Sequence, residues 1–336
     1  TGVGGRCNRP KCLLWNYGRK IERAASVLVI NMRGPCIKGA VNINMGVNNM
    51  TNREHHPDEA FVGKELEPRQ FEVSANHVED YFEGLKLDSD WYEDSGGNSD
   101  KLLPSMLLVD AESMSGASFR NNFGNLWMRQ ELDFHAPLSS ETEMRVESRV
   151  KDIYEWRNRT IVLQESKIYG ENDTILGVMR HHQSYLLDQD SGRVALRKPS
   201  DKEGVRKFNV PKGDLLEPVA REIDLEMCGT FFHGNKHYHT NKEASQELGF
   251  EEVVVGGKMT ISYIGDMLDR SFGHKWFDGG KLDVKFTNIV WPGDRVTAKG
   301  VLTDERSVSD DIAEARVWME KDDGTVVIVG NAYIPD

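Results

Sequence analysis

The body of the chain contains long apolar stretches, each followed by runs in which apolar and polar residues alternate. Residues 104–119 and 257–272 are apolar on most sides with small residues interleaved, which is typical of a helix buried in a core. Each stretch ends in Ser-Phe, and a Gly-containing turn and an alternating strand follow, at 126–137 and 282–292. The pattern predicts one unit, a helix followed by a strand, that occurs twice.

Three further strand-like runs follow the first strand in each copy. A buried helix followed by four antiparallel strands is an α+β pattern, and its duplication is an internal repeat. A long central helix wrapped by an antiparallel sheet is the hot-dog plan, and two copies in one chain would pair their sheets and cover the sheet edges. We therefore predict an α+β fold of two tandem hot-dog units, a double hot dog. The further predicted strands are 143–153, 158–170 and 175–187 in the first copy and 295–303, 312–320 and 325–333 in the second.

Charge and cysteine distinguish the start of the chain from the rest. The first 45 residues carry eight basic side chains, one acidic side chain and three of the four cysteines. This segment is either a transit peptide or sequence translated upstream of a true start at Met45 or Met50. A second basic stretch contains three prolines and separates the two copies, as a linker would. The predicted boundaries are 1–50 for a segment outside the core, 60–190 for the N-terminal hot dog, 191–218 for the linker and 219–336 for the C-terminal hot dog.

Composition narrows the functional classes. The sequence has 54 acidic and 42 basic side chains, a formal net charge of −12, which argues against a nucleic-acid partner. No apolar run approaches the roughly 20 residues of a membrane-spanning helix, and no secretory signal precedes the body. The cysteines cannot form a disulfide framework for the body. We predict a cytoplasmic protein without a membrane partner, or a mitochondrial one if the basic segment is a transit peptide.

The densest group of ionisable side chains runs from His233 to His239 and holds three of the ten histidines. Histidine is the natural acid or base near neutral pH, so one of the three is a candidate for moving a proton of a bound substrate. A solvated loop is the alternative interpretation. His237 and His239 could also bind a metal together with His233. Because no carboxylate or thiolate lies nearby in the sequence, we predict no metal and no cofactor.

A segment of the second copy resembles the MaoC-like (R)-specific enoyl-CoA hydratases, which are hot-dog proteins. Residues 239–244 are similar to the His-x-Asp-x-x-Ala part of the family motif, and Leu248-Gly-Phe250 follows at the matching place. Residues 256–260 resemble the start of the family's helix, and 291–300 resemble its Pro-Gly-Asp turn, the most specific match. With the first copy, the resemblance covers roughly residues 60–335 and implies the double form, in which the N-terminal copy is non-catalytic.

The resemblance implies reversible addition of water to a trans-2-enoyl thioester, giving a 3-hydroxyacyl thioester. In the family, an Asp and a His activate the water, and backbone N–H groups at the helix N-terminus polarise the thioester carbonyl. Here the Asp position falls on Gly234, or on Asn235 if one residue is deleted, so neither alignment supplies a carboxylate. The resemblance therefore predicts the catalytic residues His239, Asn235 and His233, and the substrate-binding residues Gly256, Gly257 and His237.

Two alternative functions remain open. One is a non-catalytic relative that binds acyl-CoA. The other is a hot-dog thioesterase, which would need a carboxylate such as Asp266 or Glu112 facing the thioester. The products separate the three hypotheses, since a thioesterase releases free coenzyme A and a hydratase forms a 3-hydroxyacyl thioester. The expected partner is a thioester of coenzyme A or of acyl carrier protein, and a homodimer of double hot dogs is a further expectation.

Overall fold

A computed structural model describes residues 58–95, 102–139, 143–196, 208–303 and 312–335. All of them lie in one compact unit that runs from Glu54 to Asp336. The predicted segment 1–50 lies outside the described residues, and so does the middle of the predicted linker, 197–207.

The described residues form eleven strands, six α-helices and two short 3₁₀ helices. No helix among them is long and apolar enough to cross a membrane. In chain order the elements are β1 (Arg69–Glu72), α1 (Ala75–Leu85), α2 (Ser89–Ser95), a 3₁₀ helix (Ser105–Ala111), β2 (Leu126–Phe134), β3 (Glu143–Trp156), β4 (Arg159–Tyr169), a 3₁₀ helix (Glu171–Asp173), β5 (Ile175–Tyr185), β6 (Gly213–Leu215), β7 (Val219–Glu222), α3 (Leu225–Phe231), α4 (Lys242–Glu247), α5 (Gly257–Phe272), α6 (His274–Phe277), β8 (Lys281–Phe286), β9 (Arg295–Thr303), β10 (Ile312–Lys321) and β11 (Val326–Pro335).

The two copies share one antiparallel sheet. Its strand order is β1-β3-β4-β5-β2-β8-β11-β10-β9-β6, and β7 also pairs with β9. The copies join where β2 runs antiparallel to β8, with Gln130 opposite Val284 and Leu132 opposite Leu282. All eight predicted strands are present, because alternating sequence between polar turns describes this sheet well. The prediction of two tandem hot-dog units is confirmed, and β6 adds a short strand inside the predicted linker.

The prediction of a long helix at 104–119 is wrong. The structure has a 3₁₀ helix only over Ser105–Ala111, and residues 112–125 contain no helix. Gly116 has a φ of +85°, a turn conformation that ends any helical continuation. Ser113 lies in the same segment, and its carbonyl accepts a hydrogen bond from the Gln164 amide on the sheet at 3.0 Å. The first copy therefore has a short turn of helix where its central helix was expected.

The helix predicted at 257–272 is present as α5, and it is the central helix of the fold. All eleven residues of α5 from Met259 to Asp269 are buried. α5 packs against the 3₁₀ helix of the first copy at Gly265, where a Cβ would overlap the Met106 side chain. One cluster of buried apolar side chains accordingly extends through both copies.

Two buried carboxylates of α5 are held by the first copy. The Tyr92 hydroxyl of α2 lies 3.0 Å from Asp266 Oδ1 and 2.9 Å from Asp269 Oδ2. The Ser105 backbone N–H donates to Asp269 at 3.1 Å, and Arg270 pairs with Asp266 at 2.9 Å. Burial raises the pKa of Asp269 to about 7, although these hydrogen bonds act in the opposite direction.

We expect Asp269 to make the stability of the fold depend on pH. Its folded pKa lies above the unfolded value near 4, so the folded state binds the proton more tightly. The contribution of Asp269 to the free energy of unfolding is therefore fully present below about pH 4 and is lost as the pH rises towards about 7. Asp269→Asn should remove about 2 kcal/mol of the difference in unfolding free energy between about pH 5 and about pH 8.

Urea unfolding at the two pH values measures this effect. The control is Asp322→Asn, because the Asp322 side chain is 71% exposed and meets only a distant Arg295. Equal pH slopes for the wild type and Asp269→Asn would contradict the assignment.

Candidate active site

A pocket of about 560 Å³ lies where the two copies meet, and both copies line it. The non-helical segment 112–125 forms part of one wall, at the place where a long helix was predicted. The loss of that helix thus coincides with the pocket. The polar and aromatic side chains that matter below are Asn125, Trp127, His181 and Gln183 from the first copy and His237 and His239 from the second.

His239 lines the pocket as a neutral imidazole. Its Nδ1 lies 2.7 Å from the Val254 carbonyl oxygen, which can only accept, so Nδ1 carries the hydrogen. Its ring stacks on Phe232, with the centroids 5.1 Å apart. Burial lowers the pKa of His239 to about 3. The Nε2 lone pair is therefore free of a proton at neutral pH, and no described residue donates a hydrogen bond to it.

His237 lines the same pocket and is fixed by its neighbour. The backbone N–H of His239 donates to His237 Nδ1 at 3.2 Å, so in the neutral ring the hydrogen is on Nε2. The ring packs edge-on against Phe232 at 4.7 Å. Burial lowers the pKa of His237 as well. The structure thus brings two of the three predicted histidines together.

His233 and Asn235 lie elsewhere. His233 has a φ of 56° and Gly234 a φ of 69°, so the chain reverses there. The His233 ring then contacts α1, with Nδ1 2.6 Å from Asp80 Oδ2, and the exposed Asn235 amide donates to the Phe232 carbonyl at 2.8 Å. Neither residue lines the pocket. The structure does not place them beside His239, as the predicted catalytic group requires.

The N-terminus of α5 begins with two glycines, of which Gly257 lines the pocket. Gly256 is the N-cap residue, and no side chain caps the first turn. A Cβ on Gly256 would come within 2.5 Å of the Phe232 ring, and a Cβ on Gly257 would overlap the Trp127 ring. Glycine is required because the backbone itself packs on these rings. The unpaired N–H groups of a first helical turn remain available for an oxygen atom of a ligand.

The first copy contributes a buried pair that the sequence analysis missed. His181 Nδ1 lies 3.2 Å from Glu112 Oε2, and the two side chains are 9% and 2% exposed. The His181 ring stacks on Trp127 with a centroid distance of 4.5 Å and an interplanar angle of 9°. Trp127 thus contacts both His181 and Gly257. Strand alternation offered a signal, since His181 and Gln183 lie on the same face of β5 as the core residue Met179.

A wider cleft of about 1330 Å³ adjoins the pocket, and both share Trp127 and Phe286 in their walls. Within a chain of net negative charge, this cleft is basic. Its charged side chains are the cations Arg157, Arg159, Arg193, Lys285 and Lys321 and the acids Glu251 and Asp323.

Three of these cations have no carboxylate partner among the described residues: Arg157, Arg159 and Lys285. Arg159 donates instead to the Gly124 carbonyl at 2.7 Å, and burial lowers its pKa to about 10. Trp156 stands next to Arg157 and is 55% exposed. An aromatic ring beside unpaired cations suits a ligand that has both phosphates and a flat base.

Metal binding finds no support in the described part of the chain. It contains no group of three or more His, Cys, Asp or Glu side chains arranged to hold an ion.

Comparisons with known proteins agree with this architecture. Residues 234–322 match the family model described as MaoC like domain. A MaoC-like dehydratase from Phytophthora capsici superposes with a TM-score of 0.61 at 12% identity, covering 82% of this chain and 96% of its own. Peroxisomal multifunctional enzyme type 2 from Drosophila melanogaster superposes with a TM-score of 0.59 at 16% identity, covering 80% of this chain and 48% of its own.

A third structure, from Mycobacterium tuberculosis, is described as a double hotdog fold. Its TM-score is 0.53 at 12% identity, and the match covers 82% of this chain and 95% of that one. No protein with a curated description matches the sequence. Residues 234–322 are therefore similar to the MaoC like domain, and the described residues adopt a double hot-dog fold.

Proposed function

We propose that this protein catalyses the reversible addition of water to a trans-2-enoyl-CoA, which gives a 3-hydroxyacyl-CoA. The observation that carries the proposal is the meeting of His239 and the α5 N-terminus in one pocket. Phe232 connects them, because its ring stacks on His239 and also lies against Gly256. A base and a cluster of amide donors are the two elements that this reaction needs.

The helix end and the imidazole would act on different atoms of the substrate. The thioester oxygen would accept from the amides near Gly257, which stabilise the negative charge that develops there as water adds. Water would bond to Cβ while one of its protons moves to Nε2 of His239. Burial keeps this imidazole neutral, so the lone pair on Nε2 is open to a proton of the water.

The basic cleft supports coenzyme A as the carrier. A thioester bound in the pocket would extend its pantetheine arm past Trp127 and Phe286, which both sites share. The phosphates would then meet Arg157, Arg159 and Lys285, and the adenine would lie near Trp156. A phosphopantetheine arm on a carrier protein brings one phosphate and no adenine, so it leaves most of this cleft unused.

The carboxylates considered for a thioesterase have other contacts. Asp266 is buried under Tyr92 and Arg270 and does not line the pocket. Glu112 also lies outside the lining, with His181 in front of it. The carboxylate that the thioesterase alternative requires is thus missing from the described pocket wall.

Hydration of trans-2-butenoyl-CoA tests the proposal directly. We expect the full chain to form 3-hydroxybutanoyl-CoA, and His239→Gln to reduce kcat about 100-fold or more, because the base is lost. His233→Ala and Asn235→Ala should stay within about threefold of wild type, since both side chains lie outside the pocket. Product chromatography and a thiol assay provide the readout.

The other outcomes of the same assay oppose the proposal. Release of free coenzyme A would indicate a thioesterase, and binding without turnover would indicate a non-catalytic acyl-CoA-binding protein. A larger loss in His233→Ala than in His239→Gln would move the site to the surface beside Asp80.

The α5 amides can be tested through Gly257. Gly257→Ala should displace Trp127 or the helix end, because the added methyl overlaps the indole ring. We expect a loss of about 1–3 kcal/mol of stability and a larger loss of activity. Gly229→Ala is the matched control, since it lies in α3 with no heavy atom within 4 Å of the added Cβ. Normal activity in a folded Gly257→Ala protein would rule out this helix end as the carbonyl site.

Charge reversal tests the basic cleft. Arg157→Glu should raise KM for butenoyl-CoA about tenfold and leave KM for the N-acetylcysteamine thioester unchanged, because only the first substrate carries phosphates. Arg145→Glu is the control, since Arg145 lies outside the cleft and pairs with Glu147 and Asp173. Equal effects of Arg157→Glu on the two substrates would show that the nucleotide lies elsewhere.

A further inference from the structure

The first copy, which the sequence predicts to be non-catalytic, places a buried histidine–glutamate pair at the pocket. His181 and Glu112 come from β5 and from the segment after the first 3₁₀ helix, and both side chains are almost wholly buried. His181 lines the pocket, and Glu112 lies behind it. The hydrogen bonds around the pair determine where its protons are.

On the His181 side, one carbonyl sets the direction of a chain of hydrogen bonds. The Asn122 carbonyl can only accept, so the Asn125 amide nitrogen donates to it at 2.6 Å. Asn125 Oδ1 therefore accepts from Gln183 Nε2 at 2.8 Å. The remaining Gln183 oxygen faces His181 Nε2 at 2.9 Å. This oxygen accepts, so His181 Nε2 carries a hydrogen.

On the Glu112 side, an indole sets the direction. The Trp127 N–H can only donate, and it reaches Gln130 Oε1 at 3.2 Å. The Gln130 amide nitrogen therefore donates to Glu112 at 3.3 Å, and the Ser166 hydroxyl donates to the second oxygen at 3.4 Å. As a carboxylate, Glu112 can also accept from His181 Nδ1, which lies 3.2 Å away. Both His181 nitrogens thus face acceptors, which is the arrangement that a proton-donating imidazolium needs.

We infer that His181 is the acid of the proposed hydration and delivers a proton to Cα. Glu112 positions the His181 ring and stabilises its protonated form. The inference rests on the proposed function. The His239 loop lacks a proton donor that is supported by a carboxylate. By this inference, the first copy supplies it as His181 with Glu112. The stacked Trp127 ring further stabilises the cation.

The step balances over one turnover. The water oxygen bonds to Cβ, a water proton moves to His239 Nε2, and the electron pair of the C=C bond passes to the thioester as an enolate. The N–H at His181 Nε2 turns from the Gln183 oxygen to Cα of the enolate. Its proton then forms the Cα–H bond. His239 returns its proton through solvent, and His181 regains one. Dehydration runs the same steps in reverse.

The chain contains a matched control for this pair. His182 is the next residue of β5, and its side chain is only 5% exposed. It pairs with Glu131 at 3.2 Å and lies 2.9 Å from the Tyr154 hydroxyl. It does not line the pocket. His182→Gln therefore removes a buried histidine of the same strand and the same kind of pair without touching the proposed acid.

The experiment compares wild type, His181→Gln, Glu112→Gln, His239→Gln and His182→Gln in the full chain. The first measurement is hydration of trans-2-butenoyl-CoA. We expect kcat to fall about 100-fold or more in His181→Gln with KM within about threefold, a smaller fall in Glu112→Gln, and no change beyond about threefold in His182→Gln. Thermal unfolding checks that each variant is folded.

The second measurement is exchange of the Cα hydrogens of butanoyl-CoA in D₂O, followed by mass spectrometry. Loss of a Cα hydrogen is the reverse of the proposed delivery, so it occurs in the form of His181 that has given up its Nε2 proton. This saturated thioester needs no water addition, so exchange should occur in wild type and His239→Gln and disappear in His181→Gln. A structural role for His181 would not separate the two histidines in this way. Retained hydration in His181→Gln overturns the inference, as does exchange that persists in His181→Gln or disappears in His239→Gln. A wild type that does not hydrate at all overturns the proposed function instead.

Discussion

The fold depends on the burial of one helix, α5, against elements of both copies. A hot-dog unit normally surrounds its own long helix, but here the first copy has a 3₁₀ turn at the place predicted for that helix, and the helix of the second copy completes its core. Gly265 allows Met106 to reach the helix backbone, and Tyr92 and Ser105 bind the two buried aspartates. Each copy is therefore incomplete alone, and the apolar contacts that stabilise one also hold the other.

The shortness of the first copy's central helix also leaves room for the pocket. Residues 112–125 are free to line a cavity because no second helix fills the space. Two aromatic rings then define its geometry: Phe232 holds His239 against the helix end, and Trp127 holds Gly257 and stacks on His181. A bulge in β2 between Trp127 and Arg129 is where the indole meets both partners, as is common where a strand directs a side chain towards a site.

Sequence was a good guide wherever the signal was local. The strand predicted at 295–303 has the observed bounds of β9, because alternation and turns are read over a few residues. The apolar run at 104–119 led to a wrong prediction, since burial on all sides does not distinguish a helix from an irregular buried segment, and the chain is already extended at Glu112. His239 and the two glycines came from motif resemblance, whereas His233 was misplaced by a reversal that needs two positive φ angles. Glu112 and His181 are 69 residues apart, so no spacing joins them before the sheet forms.

The joint between β2 and β8 also determines how the pocket responds to dilution. In a hot dog made from two separate chains, a site at the interface is lost when the protein concentration falls below the dissociation constant of the dimer, because the chains separate. Here both walls belong to one compact unit of a single chain. The effective concentration of one copy for the other is set by covalent connection and not by expression level. The pocket therefore forms in every folded molecule, at any abundance, and each copy can change its own wall without having to remain complementary to an identical partner.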